Sequence, residues 1–215
     1  RDGAYRQYFL DHYSTQLPAI SASSPPAWPS VGPVALWTYL LGGGTGEAAE
    51  AIRKASVSAA DQIVSRTAAD GYRTSLRTSD YIWGSNSVAA NYGLQLLVAN
   101  ALRPDPRYRE AAADNLHYLL GRNTFSLSWV TQVGANPFRH PHHRPSGADQ
   151  NPEPWPGLLS GGPNARRQDP AMKGLPDVPP ARMYVDDQES YASNEVAINW
   201  NAPLVFLLAD QLPKK

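Results

Sequence analysis

The alternation of apolar and polar positions divides the chain into a helical first part and a long aperiodic stretch that ends in one more helix. Residues 2–16 predict a helix with Tyr5, Phe9, Leu10 and Tyr13 roughly on one face. A Ser/Pro-rich loop follows at 21–32 and holds Trp28. Residues 33–41 form a short apolar helix stopped by Gly42-Gly43-Gly44. The stretch 46–70 places Ala49, Ile52, Ala59, Ile63 and Val64 near helical spacing, with Gly71 beyond its end. Residues 85–102 continue the pattern up to Pro104. Residues 106–120 turn Tyr108, Ala112, Leu116, Leu119 and Leu120 inward, with Gly121 placed to cap the C-terminus.

The period then disappears. A short extended piece is expected at 128–133, while 134–183 carry much of the Pro and Gly with no regular repeat. A loop of that length in a compact domain is usually functional. The chain closes with a predicted helix at 194–212, interrupted at Pro203. Helix pairs with functional loops gathered at one end predict an all-α barrel.

Composition narrows the chemistry. The 215 residues carry 19 basic and 19 acidic side chains, so a polyanion such as nucleic acid is not an expected partner. No apolar run approaches the length of a membrane span, and no signal-peptide h-region is visible. Cysteine is absent, which removes disulfides and thiol chemistry. Six Trp and eleven Tyr are many for this length, and flat rings are one way to hold sugars.

The richest candidate site is Tyr184–Ala202, where acids, amides and aromatics precede an apolar helix. Buried charge is costly unless paired or used, so such a mix does not belong to an ordinary core element. Glu195 is the first residue to suspect. Three histidines fall within His140-Pro141-His142-His143, but Pro141 spoils helical ligand spacing and no cysteine completes a zinc set, so no metal is expected there.

Two segments carry a family resemblance. The first is Ser128-Trp129-Val130-Thr131-Gln132-Val133-Gly134-Ala135-Asn136, continuing to Pro141-His142-His143-Arg144. The second is Tyr184, Asp186, Tyr191, Glu195, Ala197 and Asn201-Ala202. In this order they resemble the two signature regions of glycoside hydrolase family 9, the endoglucanase-type cellulases. Leu119-Leu120-Gly121-Arg122-Asn123, Gly161-Gly162-Pro163-Asn164 and Trp83-Gly84-Ser85-Asn86-Ser87 support it.

The resemblance implies an (α/α)6 barrel, of which residues 1–215 would be the C-terminal half with long active-site loops. It implies inverting hydrolysis of β-1,4-glucosidic bonds in cellulose or a related glucan, with Glu195 as general acid. Such an acid must hold its proton at working pH, whereas a place near a helix N-terminus favours the ionised form. Asp186 would orient and support the site, and His142 would join it. Arg144, Trp83, Tyr191 and Trp200 would bind substrate; for Trp200, core packing is an equal alternative.

The family's Asp-x-Gly-Asp motif, which supplies the catalytic base, is missing. The N-terminal half of the same domain is therefore the expected partner, and the 215-residue chain alone is expected to be inactive. Val88 stands where some relatives carry Tyr, which bears on subsite affinity. No cofactor is needed for the chemistry; structural calcium is implied without assignable ligands, and secretion is implied by a polymeric substrate. The competing readings are a non-catalytic carbohydrate-binding or scaffold fragment, and an exo-acting β-glucosidase or glucosaminidase on the same scaffold.

Overall fold

The computed structural model describes residues 3–17 and 19–213. Its long helices are α1 (Gly3–Gln16), α2 (Gly32–Leu41), α3 (Glu47–Ala69), α4 (Ser85–Leu102) and α5 (Pro106–Leu119). Three short helices follow, α6 (Arg144–Ala148), α7 (Pro170–Lys173) and α8 (Tyr191–Asn194), and then α9 (Ile198–Asp210). The predicted first helix thus begins at Gly3; Asp2 lies outside the described residues.

Local chemistry sets the boundaries. Pro106 takes the first turn of α5, where its missing N–H costs nothing, and the Asp105 carboxylate accepts the Arg107 N–H at 3.0 Å as N-cap. After α5 the chain turns away through Gly121, at φ +132°. Asp114 on the same helix accepts from the guanidinium groups of Arg73 and Arg122. Burial raises its pKa, but those two cations outweigh burial and hold it below the usual carboxylate value.

Helix α4 is the axis of the fold. It is buried from Ser85 to Ala99 on almost every side and packs against α3, α5 and α9. Small residues allow this. A Cβ at Gly93 would lie 2.7 Å from Leu207 Cδ2, so only glycine lets α9 sit this close. Ile52, Ala59 and Ile63 of α3 and Tyr108, Ala112, Leu116 and Leu119 of α5 complete the core, as their spacing predicts. Each fully buried Leu or Ile side chain contributes about 1.5–3 kcal/mol. In α1 the expectation holds only in part. Phe9 stacks on Tyr39 at 4.4 Å, but Tyr5 is 80% exposed because the helix packs only through its later turns.

One expectation needs correction. The final helix is not interrupted at Pro203, which lies inside α9 and is buried. The break falls earlier, at residues 195–197, between α8 and α9. The short extended piece at 128–133 makes isolated bridges, Ser128 with Pro137 and Val130 with Leu159.

Candidate active site

A relay of backbone hydrogen bonds runs from the end of α5 into the loops. The Trp129 N–H donates to Leu119 O (2.8 Å), and the Ser160 N–H to Trp129 O (2.9 Å). The Gly161 N–H donates to Glu195 O (2.9 Å), the Gly162 N–H to Ser193 O (2.8 Å) and the His142 N–H to Asn194 O (2.8 Å). The Asn86 N–H donates to Gly161 O at 3.0 Å and joins α4 to the same layer. Four segments distant in sequence thus meet around residue 195.

Glu195 sits in the gap between α8 and α9, at φ −57° and ψ 151°, outside either helix. Its carboxyl is fixed by one side-chain hydrogen bond, from Trp83 Nε1–H to Oε2 at 2.9 Å. The Trp83 ring lies 5.6 Å from that of Tyr191, and the His142 ring is edge-on to Tyr191 at 6.0 Å. The Tyr191 hydroxyl donates to Gln168 O (3.2 Å), which fixes the phenol. The fold therefore brings Trp83, His142, Tyr191 and Glu195 together from parts of the chain 112 residues apart at the extremes.

His142 Nδ1 is 2.7 Å from Gln188 O. A carbonyl only accepts, so Nδ1 carries a hydrogen and Nε2 is left as the ring nitrogen for other partners. His143 differs: the Ser146 N–H donates to its Nδ1 (3.3 Å), which caps α6. Burial pushes the His143 pKa below 6.5.

Asp186 does not touch Glu195 through any hydrogen bond. Its oxygens accept the backbone N–H groups of Arg139 (2.8 Å) and His140 (2.9 Å), so it clamps the loop that carries His142. Arg144 is exposed at the start of α6, and its side chain has no hydrogen-bond or ion-pair partner among the described residues. Trp200 is 9% exposed and does not face the opening. Cβ atoms built at Gly84 and Gly161 would lie 2.9 Å and 3.2 Å from its indole. Its ring supports the backbone of both Trp83 and the Glu195 layer from below, which is the core-packing alternative.

Several supporting residues carried no sequence signal. Asn194 is fully buried; its Oδ1 accepts the Tyr184 hydroxyl at 2.5 Å, and its Nδ2 donates to Val185 O (2.9 Å) and Asp187 O (3.1 Å). Burial raises the Tyr184 pKa well above 10, so the phenol stays a donor. Asp169, also fully buried, accepts the Ala192 N–H at 2.7 Å and the Ser190 hydroxyl at 2.9 Å, holding the start of α8. Ahead of Trp83, buried Asp80 accepts the Arg77 guanidinium and the Tyr92 hydroxyl; burial, then the Asp80 charge, pushes Tyr92 up to about 12. Among the described residues, no group of three or more His, Cys, Asp or Glu is arranged to hold a metal, so the calcium expectation finds no ligand set here.

Among the described residues the scaffold is helical, and its loops gather one carboxyl group among indole, phenol and imidazole rings, as expected of a portion of an (α/α)6-barrel glycoside hydrolase. Within that class, the profile of Glycosyl hydrolase family 9 matches residues 1–208, and the chain belongs to that family. It is 39% identical over 185 residues to "Endoglucanase D" of Acetivibrio thermocellus, covering 85% of this chain and 27% of that protein. It is 38% identical over 159 residues to "Cellodextrinase" of Butyrivibrio fibrisolvens, covering 73% and 29% respectively. The crystal structure of a family 9 endoglucanase, J30, superposes with a TM-score of 0.91 at 36% identity, over 100% of this chain and 40% of that one. The chain thus spans under a third of those two relatives and two-fifths of that solved structure.

Proposed function

We propose that this chain is the C-terminal portion of the catalytic domain of an inverting β-1,4-glucan hydrolase, in which Glu195 is the general acid. The observation that carries the reading is the Glu195 carboxyl, held at 2.9 Å by the Trp83 N–H beside Tyr191 and His142, at a break between helices. Glu195 gives its proton to the departing glycosidic oxygen. A second carboxylate, roughly 6.5–9.5 Å away across the sugar, activates the attacking water. Asp186 clamps a loop, and the family's Asp-x-Gly-Asp motif is absent from these 215 residues, so the base is assigned to the N-terminal portion of the domain.

The other residues bind and orient. Trp83, 36% exposed, offers a ring to an apolar sugar face. His142 Nε2 hydrogen-bonds a sugar hydroxyl, and Arg144, without an internal partner, donates to others. Tyr191 packs Trp83 into place. The reaction needs no cofactor. A polymeric glucan implies an extracellular site of action, and no helix among the described residues is long and apolar enough to cross a membrane. The relative named endoglucanase favours endo-type cleavage of a glucan chain for the intact enzyme.

The test is sugar release from a soluble β-1,4-glucan. The intact enzyme is active, Glu195→Gln falls by about 10²–10⁴-fold, and the 215-residue chain alone is inactive. Activity in the isolated chain contradicts the placement of the base. An inactive intact enzyme that still binds the glucan supports a carbohydrate-binding role instead.

A further inference from the structure

A general acid has two oxygens, and only one can point its proton at the leaving group. We infer that Trp83 is a positioning residue for Glu195, whose indole N–H keeps the transferable proton on Oε1. The inference rests on Glu195 being the acid. An indole Nε1 only donates, so the oxygen 2.9 Å from it acts as acceptor. In the protonated carboxyl, the carbonyl oxygen accepts better than the hydroxyl oxygen. Oε2 therefore takes the carbonyl role and Oε1 carries the hydrogen.

The donor is built to stay in place. Asp80 anchors the turn before it through Arg77 and Tyr92. Gly84, directly after it, has φ +82°, and the Trp200 ring fills the space a Cβ would need. Tyr191 lies against the ring itself, tilted by 37°. The Glu195 backbone is pinned on its two sides by the Asn194 and Glu195 carbonyls, which accept from His142 and Gly161. Only the Glu195 side-chain torsions remain, and the indole N–H selects among them. The same ring can serve a sugar with its face and the carboxyl with its edge, because the two directions are perpendicular.

The experiment compares pH–rate profiles of the intact enzyme and Trp83→Phe on a soluble β-1,4-glucan. Phe keeps the ring and removes the donor. The N–H is a donor that favours the ionised carboxylate, so its loss should move the alkaline limb upward. The rate constant kcat should fall about tenfold while KM changes less than about threefold, since proton placement suffers more than ring contact. Trp83→Met, which also lacks a donor toward Glu195, should shift the limb the same way if Phe perturbs folding. An unmoved alkaline limb in both variants overturns the inference. Glu195→Gln run alongside separates the two failures. If it retains wild-type rates the acid assignment itself falls; if it is inactive and the limb is unmoved, only the role of Trp83 falls.

Discussion

Gly84 is the position where a single methyl group should do most damage. It follows Trp83, precedes α4 and sits at φ +82°. Forcing Ala into that left-handed region costs about 1–2 kcal/mol. The new Cβ would lie 2.9 Å from Trp200 Cε2 and Cζ2, closer than real Cβ contacts. Trp200 is buried and cannot swing aside, so overpacking adds about 1–3 kcal/mol. Reduced freedom of the unfolded chain returns about 0.4–1 kcal/mol. Gly84→Ala should therefore destabilise by about 2–4 kcal/mol. It should also lower kcat by at least about tenfold, because Trp83 is pushed off Glu195. Thermal melts and glucan hydrolysis of the intact enzyme read both effects. Gly71→Ala is the control, since no atom lies within 4 Å of its would-be Cβ, and it should stay within about 0.5 kcal/mol of wild type. Trp200→Phe shrinks the ring that the methyl meets, so the double variant should cost less than the sum of the two singles. Strict additivity, or a Gly84→Ala enzyme as stable as wild type, would refute the steric argument.

Two other consequences follow from the loop clamps. Asp186→Ala removes the acceptor for the Arg139 and His140 N–H groups, so faster hydrogen exchange at 139–143 should accompany a drop in kcat of about tenfold or more; unchanged exchange there would contradict the clamp. Neutral His143 caps α6, and its folded pKa lies below 6.5, so the cap contributes fully above pH 6.5 and weakens as pH falls through the lowered value. Exchange at 144–148 should rise on acidification, and His143→Asn, which keeps a short capping acceptor but does not titrate there, should flatten that response.

Much of the helical frame was legible because its punctuation is local. Asp105-Pro106 starts one helix by its own chemistry, and Gly42-Gly43-Gly44 ends another wherever the chain goes next. The 3.6-residue spacing of Ile52, Ala59 and Ile63 reports a buried face directly. Pro203 misled because a missing N–H predicts a break, yet packing against α4 keeps α9 continuous. The true break at 195–197 depends on partners far away, the backbone N–H groups of residues 142 and 161, which no local pattern encodes.

The site divides in the same way. Glu195, His142, Tyr191 and Trp83 stand out as chemically apt residues, and the fold gathers them. Whether an aromatic faces the cleft or lies beneath it is set by tertiary packing, so Trp83 and Trp200 could not be told apart in sequence. Asn194 and Asp169 look like ordinary polar loop residues. Their importance arises only from burial and from the backbone groups they hold.

The most direct test of Glu195 as proton donor compares two substrates with the intact enzyme and Glu195→Gln. A β-1,4-glucan needs its leaving oxygen protonated, whereas an aryl β-cellobioside with a strongly acidic phenol does not. The account predicts a loss of about 10²–10⁴-fold on the glucan and a far smaller loss on the activated aryl glycoside. Equal losses on both substrates would contradict it, because they would place Glu195 in a step other than leaving-group protonation.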